Sequence, residues 1–358
     1  MRVRLISYED VNEWILGKFV LRMQDDLLKM GIEADIAKVP DPTADINHHI
    51  IYEQFNGIIT NHDTLMITHI DSSDKLNHLK AVINKVCYGI CMSKDTMQKL
   101  VALGLPKEHL CFVDPAQDGD FVPRKIQVGY TSRWYADGRK REYLLKDLAN
   151  HLDSRFFAFK FMGGGWDKII NLFRSKGFEV DYFPDFDLTG YKKLMSEIDY
   201  YLYTGLDEGQ MGFVDALAAG CKTIVTPQGY HLDVKDGITH PFIDSKDLLK
   251  IFDEIFEEKA KRIRSVSDWT WTNYTLKHVE IWNHILGNEE RLLGDVSYND
   301  GIHSILDADQ ELDVSAIDVQ KLKRKLYFHG LRRKIFVRFH YYTSNIFFNN
   351  IKRKLLKR

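Results

Sequence analysis

The sequence predicts an α/β protein made of two parallel-sheet domains, and three observations predict it. Short apolar runs bounded by turn residues alternate with helical repeats along most of the chain. The length, 358 residues, exceeds what one core of ordinary size fills. A cluster of turn signals, Asp114-Pro115, Gly119-Asp120 and Pro123, interrupts the alternation about a third of the way along. The boundaries that follow are 1–122 for a first domain, 123–268 for a second, 269–286 for a closing helix and 287–358 for a connector and tail.

In the first domain, strands are expected at 3–7, 34–39, 49–53, 65–68 and 88–92. Helices are expected at 14–29, closed by Gly31, at 76–86, and at 94–103, with Ser93 as N-cap and Gly104 as stop. The second domain reads as strands at 126–130, 157–162, 180–183, 199–203 and 222–226. Its helices fall at 142–150, 168–175, 191–196, 211–219 and 245–263. The closing helix, 271–286, carries Tyr274, His278, Ile281, Trp282 and Ile285 on one stripe.

Residues 199–226 hold most of the chemistry. Asp207-Glu208-Gly209-Gln210 is an acidic loop with a glycine, and a helix follows with Met211, Val214, Leu217 and Ala218 on one face. Gly220 sits where a left-handed C-cap is expected. A helix that opens directly after a loop at a strand's C-terminal end offers free backbone N–H groups to a phosphate. Asp207 and Asp215 place carboxylates on either side of that opening.

Composition narrows the classes. The four cysteines form no C-x-x-C pair and are expected to be reduced and buried. His48, His49, His62, His69 and His78 lack the spacing of a metal-binding helix, so no metal is expected. The first residues, MRVRLISYED, read as a strand rather than a leader peptide, and no apolar run is long enough to span a bilayer. The net charge of −2 conceals an asymmetry: residues 321–358 hold 13 Lys and Arg and no acid, leaving 36 bases against 51 acids elsewhere. Aromatic residues interleave those bases. Arg332, Arg333, Lys334, Phe336, Lys352, Arg353 and Lys354 suit a helix lying in an anionic membrane interface. A helical hairpin packed on the acidic body and a nucleic-acid contact are the alternatives.

Several of these motifs, in this order, resemble the retaining glycosyltransferases of the GT-B fold, the family-4 or group 1 class. Asp215-Ala216-Leu217-Ala218-Ala219-Gly220 is similar to that family's E-A-M-A-x-G stretch, with Asp207 at its first acid and Glu208 as the rival. Val128 to Arg133 resembles the strand ending in Gly-Arg that opens the donor domain. Gly138-Arg139-Lys140 resembles the Lys-Gly that follows, with Arg141 where the family has glycine. Gly163-Gly164-Gly165-Trp166 resembles the next glycine-rich turn, and Met66 to Asp71 resembles the loop with the active-site histidine.

The resemblance implies two Rossmann-like domains facing a cleft, with a basic helical extension. It implies sugar transfer from a nucleoside-diphosphate sugar, with retention, to a glycan acceptor, and the charge of the tail makes that acceptor a lipid-linked one. Surface polysaccharide synthesis on the cytoplasmic face of a membrane is the expected setting. No cofactor is implied beyond the donor itself. Arg133, Arg139 and Lys140 would bind the diphosphate with Gly209, Gln210, Met211 and Gly212. Asp215 would hold the ribose, Asp207 or Glu208 the donor sugar, and His69 would be the catalytic residue of the first domain. The base would lie near Tyr182-Phe183-Pro184, and the acceptor near residues 9–17. A sugar-nucleotide epimerase or hydrolase, and an inactive membrane-bound scaffold of the same fold, are the rival functions.

Overall fold

The computed structural model describes residues 1–287, 314–332 and 334. The chain divides into two units: Met1–Gly119 together with the segment from Asp268 onward, and Asp120–Ser267. Each is built on a six-stranded sheet, and every strand pairing among the described residues is parallel. The α/β class expected from the alternation is therefore the observed one.

In the first unit the strands are β1 (Arg2–Ile6), β2 (Glu33–Ala37), β3 (Ile46–His49), β4 (Asp63–Ile67), β5 (Tyr88–Cys91) and β6 (Leu110–Phe112), in the order β2-β1-β3-β4-β5-β6. The helices are α1 (Ile15–Lys29), α2 (Ser73–Val82) and α3 (Lys94–Ala102). Successive residues of a strand serve opposite faces. Met66 joins the core formed with α1, while Leu65 and Ile67 join the one formed with α2 and α3. Ser93 caps α3 by accepting the Thr96 N–H, as its position predicts.

The expected strand at 49–53 is corrected. The strand is β3, and Tyr52–Gln54 forms a short 3-10 turn. The misreading has a physical origin: burial runs unbroken from Ile46 to Tyr52, so hydrophobicity does not mark where the strand ends. What makes β3 the strand is its register against Val3–Ile6. The strand β6, three residues long, was not expected either; it is too short to carry a periodic signal.

The second unit contains β7 (Ile126–Thr131), β8 (Phe157–Met162), β9 (Glu179–Phe183), β10 (Tyr200–Tyr203), β11 (Lys222–Val225) and the two-residue β12 (His240–Pro241). Its helices are α4 (Glu142–His151), α5 (Asp167–Ser175), α6 (Leu188–Glu197), α7 (Met211–Ala218) and α8 (Ser245–Arg264). The strand order is β12-β11-β10-β7-β8-β9. Leu202 and Ile224 point into one core, Tyr201, Tyr203 and Val225 into the other.

The closing helix, α9 (Trp271–Ile285), packs in the first unit, where Trp271 and Tyr274 meet Phe19 of α1 edge-on at 5.0 and 5.5 Å. A further helix over 319–332, α10, lays Leu326 into the α2–α3 core, with Val319 and Leu322 beside it. Lys334 pairs with Asp74 at 2.7 Å, while Arg332 is exposed. The segment expected to lie on a membrane thus begins docked on the protein. Arg333, Phe336, Lys352, Arg353 and Lys354 lie outside the described residues. Among the described residues, no helix is long and apolar enough to cross a membrane. All four cysteines are free and three are buried.

Buried histidines lie beneath α9. The Nδ1 of His278 donates to the Tyr274 carbonyl at 2.8 Å, and its buried Nε2 has no hydrogen-bond partner among the described residues. Its ring meets that of His48 at 5.1 Å. Burial pushes both pKa values down, His278 to about 4. A base lowered in the native state leaves the unfolded chain to take the proton first. Stability is therefore full above pH 6.5 and falls as pH drops towards 4, by ~3 kcal/mol from His278 alone. The unfolding free energies of the wild type and His278→Phe, measured by urea titration, should accordingly diverge by that amount between pH 7 and pH 4. A gap that stays constant with pH would mean His278 does not resist protonation.

Candidate functional site

The strand order locates the site. β7 and β10 are neighbours, but the chain leaves β7 towards β8 and β9 and leaves β10 towards β11 and β12. Loops diverge where the direction of winding reverses, and the crevice beyond those strand C-termini is where such sheets bind ligands. The residues there are Thr131 to Arg141 after β7 and Thr204 to Gln210 after β10.

Lys140 occupies this point with its side chain 4 % exposed, and its Nζ lies 2.7 Å from Asp207 Oδ2. The same ammonium donates to the Tyr203 hydroxyl, which in turn donates to Asp207 Oδ1. Gly209 adds a backbone N–H to the carboxylate. Burial would raise the Asp207 pKa, but the hydrogen bonds from Lys140 and Tyr203 outweigh it and hold the carboxyl below its usual range. Burial, with Asp207 adjacent, drives the Tyr203 phenol upward. Lys140 has three N–H donors and commits two of them here.

Arg141 accounts for a departure from the resemblance. Its φ of 44° is left-handed, a conformation glycine enters freely. What it adds is a guanidinium that donates to the carbonyls of Thr204 at 2.6 Å and Ile243 at 2.9 Å and to the Thr226 hydroxyl. Those acceptors follow β10, β12 and β11, so one side chain ties three strand ends together.

The opening of α7 is shaped by its neighbours. Gln210 is the N-cap residue, and its Nε2 donates to the Thr131 carbonyl at 2.7 Å, bridging the ends of β10 and β7. Gln210 was expected to offer its N–H to a phosphate. That N–H instead donates to His231 Nε2 at 3.2 Å. The other ring nitrogen of His231 faces the Thr226 carbonyl at 3.3 Å, so the proton sits on Nδ1, and burial lowers the ring's pKa and keeps it neutral. The N–H groups of Met211 and Gly212 have no hydrogen-bond partner among the described residues. Gly212 is there for space: a Cβ would stand 2.4 Å from both Thr131 Oγ1 and the Tyr201 hydroxyl.

The remaining candidates separate. One turn into α7, Asp215 accepts from the Tyr191 hydroxyl at 2.6 Å through Oδ2. Arg133 is exposed, and no hydrogen bond from its guanidinium is found among the described residues. The turn behind its loop requires a glycine, because a Cβ on Gly163, whose φ is +121°, would meet the Ser132 carbonyl at 2.3 Å. Arg139 is exposed and pairs with Asp137 at 2.5 Å. Glu208 is exposed, and its backbone carbonyl accepts the Tyr230 N–H at 3.2 Å. Phe183, in the segment expected to border the base, is 42 % exposed.

His69 belongs to the first unit. It follows β4 with an exposed ring, 3.3 Å from Lys75 Nζ and 3.5 Å from Asp71. Among the described residues there is no group of three His, Cys, Asp or Glu placed to hold a metal.

The structure therefore brings Lys140 to Asp207 and places Gly209, Met211, Gly212 and Asp215 along one rim. Sequence reasoning missed Tyr203, His231, Tyr191 and Arg141. Tyr203 lay in the strand expected at 199–203, but nothing in the spacing showed that its hydroxyl would reach Asp207. His231 and Tyr191 act across 21 and 24 residues, beyond any local pattern.

No protein-family model matches this sequence, and no curated protein matches it either. Solved structures do match. Alr3699/HepE of Anabaena in complex with UDP-glucose has a TM-score of 0.31 at 12 % identity over 81 % of this chain and 97 % of that one. The lipopolysaccharide outer core galactosyltransferase WaaB has 0.32 at 13 % over 80 % and 99 %. A glycosyltransferase from Rickettsia africae ESF-5 has 0.33 at 12 % over 80 % and 99 %. Likenesses of this size carry no argument about function.

The packing around Gly212 yields an expectation for stability. Gly212→Ala must displace the Thr131 and Tyr201 side chains or α7 itself and should cost ~1–3 kcal/mol, read as a lower urea midpoint. An unchanged midpoint would mean α7 can shift freely and that its N-terminus is not held in place.

Proposed function

We propose that this chain is a glycosyltransferase of the GT-B class that binds a nucleoside-diphosphate sugar beyond the C-terminal ends of β7 and β10. One observation carries the reading. A buried cation held by a carboxylate and a phenol stands beside an open helix N-terminus at a reversal of winding in a parallel sheet. Each part favours a diphosphate: the N–H groups of Met211 and Gly212, the exposed guanidinium of Arg133 and the third donor of Lys140. When the sugar leaves, negative charge grows on the terminal phosphate, and these donors are already in place to stabilise it.

The roles within the site differ from those the resemblance implies. Asp207 has its oxygens engaged by Lys140, Tyr203 and Gly209, so we assign it the positioning of Lys140. Glu208 is then the acid for hydroxyls of the donor sugar. Asp215, oriented by Tyr191, takes the ribose through its second oxygen. Arg139 is assigned no ligand. His69 keeps the role of catalytic residue in the first domain on the resemblance alone. Retention of configuration, independence of metal, and a glycan acceptor in surface polysaccharide synthesis rest on the same footing.

Location at the cytoplasmic face of a membrane, with a lipid-linked acceptor, is the reading that the basic tail supports. Tyr327, Phe328 and Leu331 of α10 are 60, 58 and 43 % exposed, in a segment otherwise rich in Lys and Arg. Apolar side chains framed by bases are what an anionic interface binds.

Two measurements test these readings. A nucleoside diphosphate at 100 times its dissociation constant should stabilise the protein by about 2.7 kcal/mol. UDP, GDP and ADP are the probes, with the monophosphate CMP for comparison, and the shift should be selective, lost in Arg133→Ala and weakened in Asp215→Asn. If none of the four shifts a folded sample, the inactive-scaffold reading replaces this one. In flotation with phosphatidylglycerol vesicles, Tyr327→Ser/Phe328→Ser/Leu331→Ser should bind about tenfold more weakly. Binding equal to wild type would remove α10 from the membrane contact.

A further inference from the structure

The opposite pole of the second unit's sheet holds a cavity of about 390 Å³. It opens beside the first residues of β7, β10 and β11, between the last turns of α6 and α7 and the C-terminal half of α8. With β7 six residues long, it lies roughly 20 Å from Lys140 and Asp207.

Four cations line this cavity, Arg124, Lys222, Lys259 and Arg262, against two acids, Asp199 and Glu258. The acids are already used. Arg124 pairs with Asp199 at 2.7 Å, and Arg262 with Glu258 at 2.8 Å. Asp199 spends its other oxygen on the Gln127 N–H at 2.9 Å. Lys222 and Lys259 are left with no carboxylate within ion-pair distance among the described residues. Lys222 stands over the Tyr200 ring at 5.6 Å, and Lys259 donates to the Arg124 carbonyl.

Bases at this pole have an ordinary explanation, since helix C-termini present free carbonyls. The structure leaves little of that task to Lys222. The end of α7 is closed by its own backbone, with Gly220 N–H on the Leu217 carbonyl and Cys221 N–H on that of Ala216. The Cys221 thiol, in turn, faces the carbonyls of Met195 and Ile198 at the end of α6. Lys222 therefore projects into the cavity with no cap to make. Burial, and then the neighbouring Arg124, pushes the Lys259 ammonium below its usual pKa, a cost that a bound anion would reverse.

We propose that this cavity is a second anion site, for a small soluble phosphomonoester whose two negative charges meet Lys222 and Lys259. Ile198, Tyr200 and Ile255 form an apolar floor for its carbon skeleton. The site shares no residue with the nucleotide site and does not depend on that reading.

Calorimetric titration of the full chain with glycerol 3-phosphate tests it. Binding is expected in the millimolar range or tighter. Lys222→Gln/Lys259→Gln should weaken it about tenfold or more, since both charge-assisted contacts go, and Arg133→Ala should leave it unchanged. Both lysines reach the surface, so the double variant should unfold at the wild-type urea midpoint. Three results overturn the proposal: no heat at millimolar ligand, binding that survives the double variant, or binding lost in Arg133→Ala. A fourth is phosphatidic acid vesicles captured through the two lysines while glycerol 3-phosphate is ignored, which would assign the cavity to a lipid headgroup.

Discussion

The second unit is organised around one desolvated charge. Lys140 is nearly sealed from water, and a buried ammonium is tolerable only when a carboxylate and further hydrogen bonds compensate it. Asp207 and Tyr203 supply that compensation, and their arrangement dictates much of what surrounds them. Tyr203 must end β10 with its ring turned inward, and Gly205 must lack a side chain, because a Cβ would meet the Tyr203 hydroxyl at 2.2 Å. The loop that carries Asp207 must then curl so that Gly209 can add its N–H. α7 starts where that curl ends, and its open N–H groups are a consequence of the same geometry.

Around this pair, side chains do work that backbone does elsewhere. Arg141 joins three strand ends that a parallel sheet leaves apart, because parallel strands have no hairpins to connect them. Gln210 bridges β7 and β10 at the point where their loops diverge. His231 takes up the Gln210 N–H at the helix entry, and burial lowers its pKa, so it does so as a neutral ring.

The first unit uses its polar groups differently. His48, His49 and His278 lie in the core, and among the described residues each has one ring nitrogen without a hydrogen bond, that of His49 lying 3.6 Å from Asp63 Oδ2. They pack as aromatic rings against Trp282, Phe55 and one another. The basic tail makes a related compromise. Leu326 anchors α10 in the α2–α3 core, and the same helix turns Tyr327 and Phe328 outward. A docked helix and a helix with an apolar outer face are thus compatible in one segment.

The sequence by itself determined the two α/β units, most of their strands and helices, and the loop and helix at 207–218. Those follow from local periodicity and from glycine, serine and aspartate at helix ends, which act within a few residues. It also carried the mark of the site, because a glycine-bearing acidic loop before a helix is a local pattern. Only the tertiary structure decided that Asp207 pairs with Lys140, and that His231 takes the Gln210 N–H. It alone showed that Arg141 staples the sheet and that Lys222 and Lys259 share a cavity. Each of these is a side-chain meeting between segments far apart in the chain. The order of strands in the sheet sets which of them are neighbours, and the spacing of residues along a strand does not reveal that order.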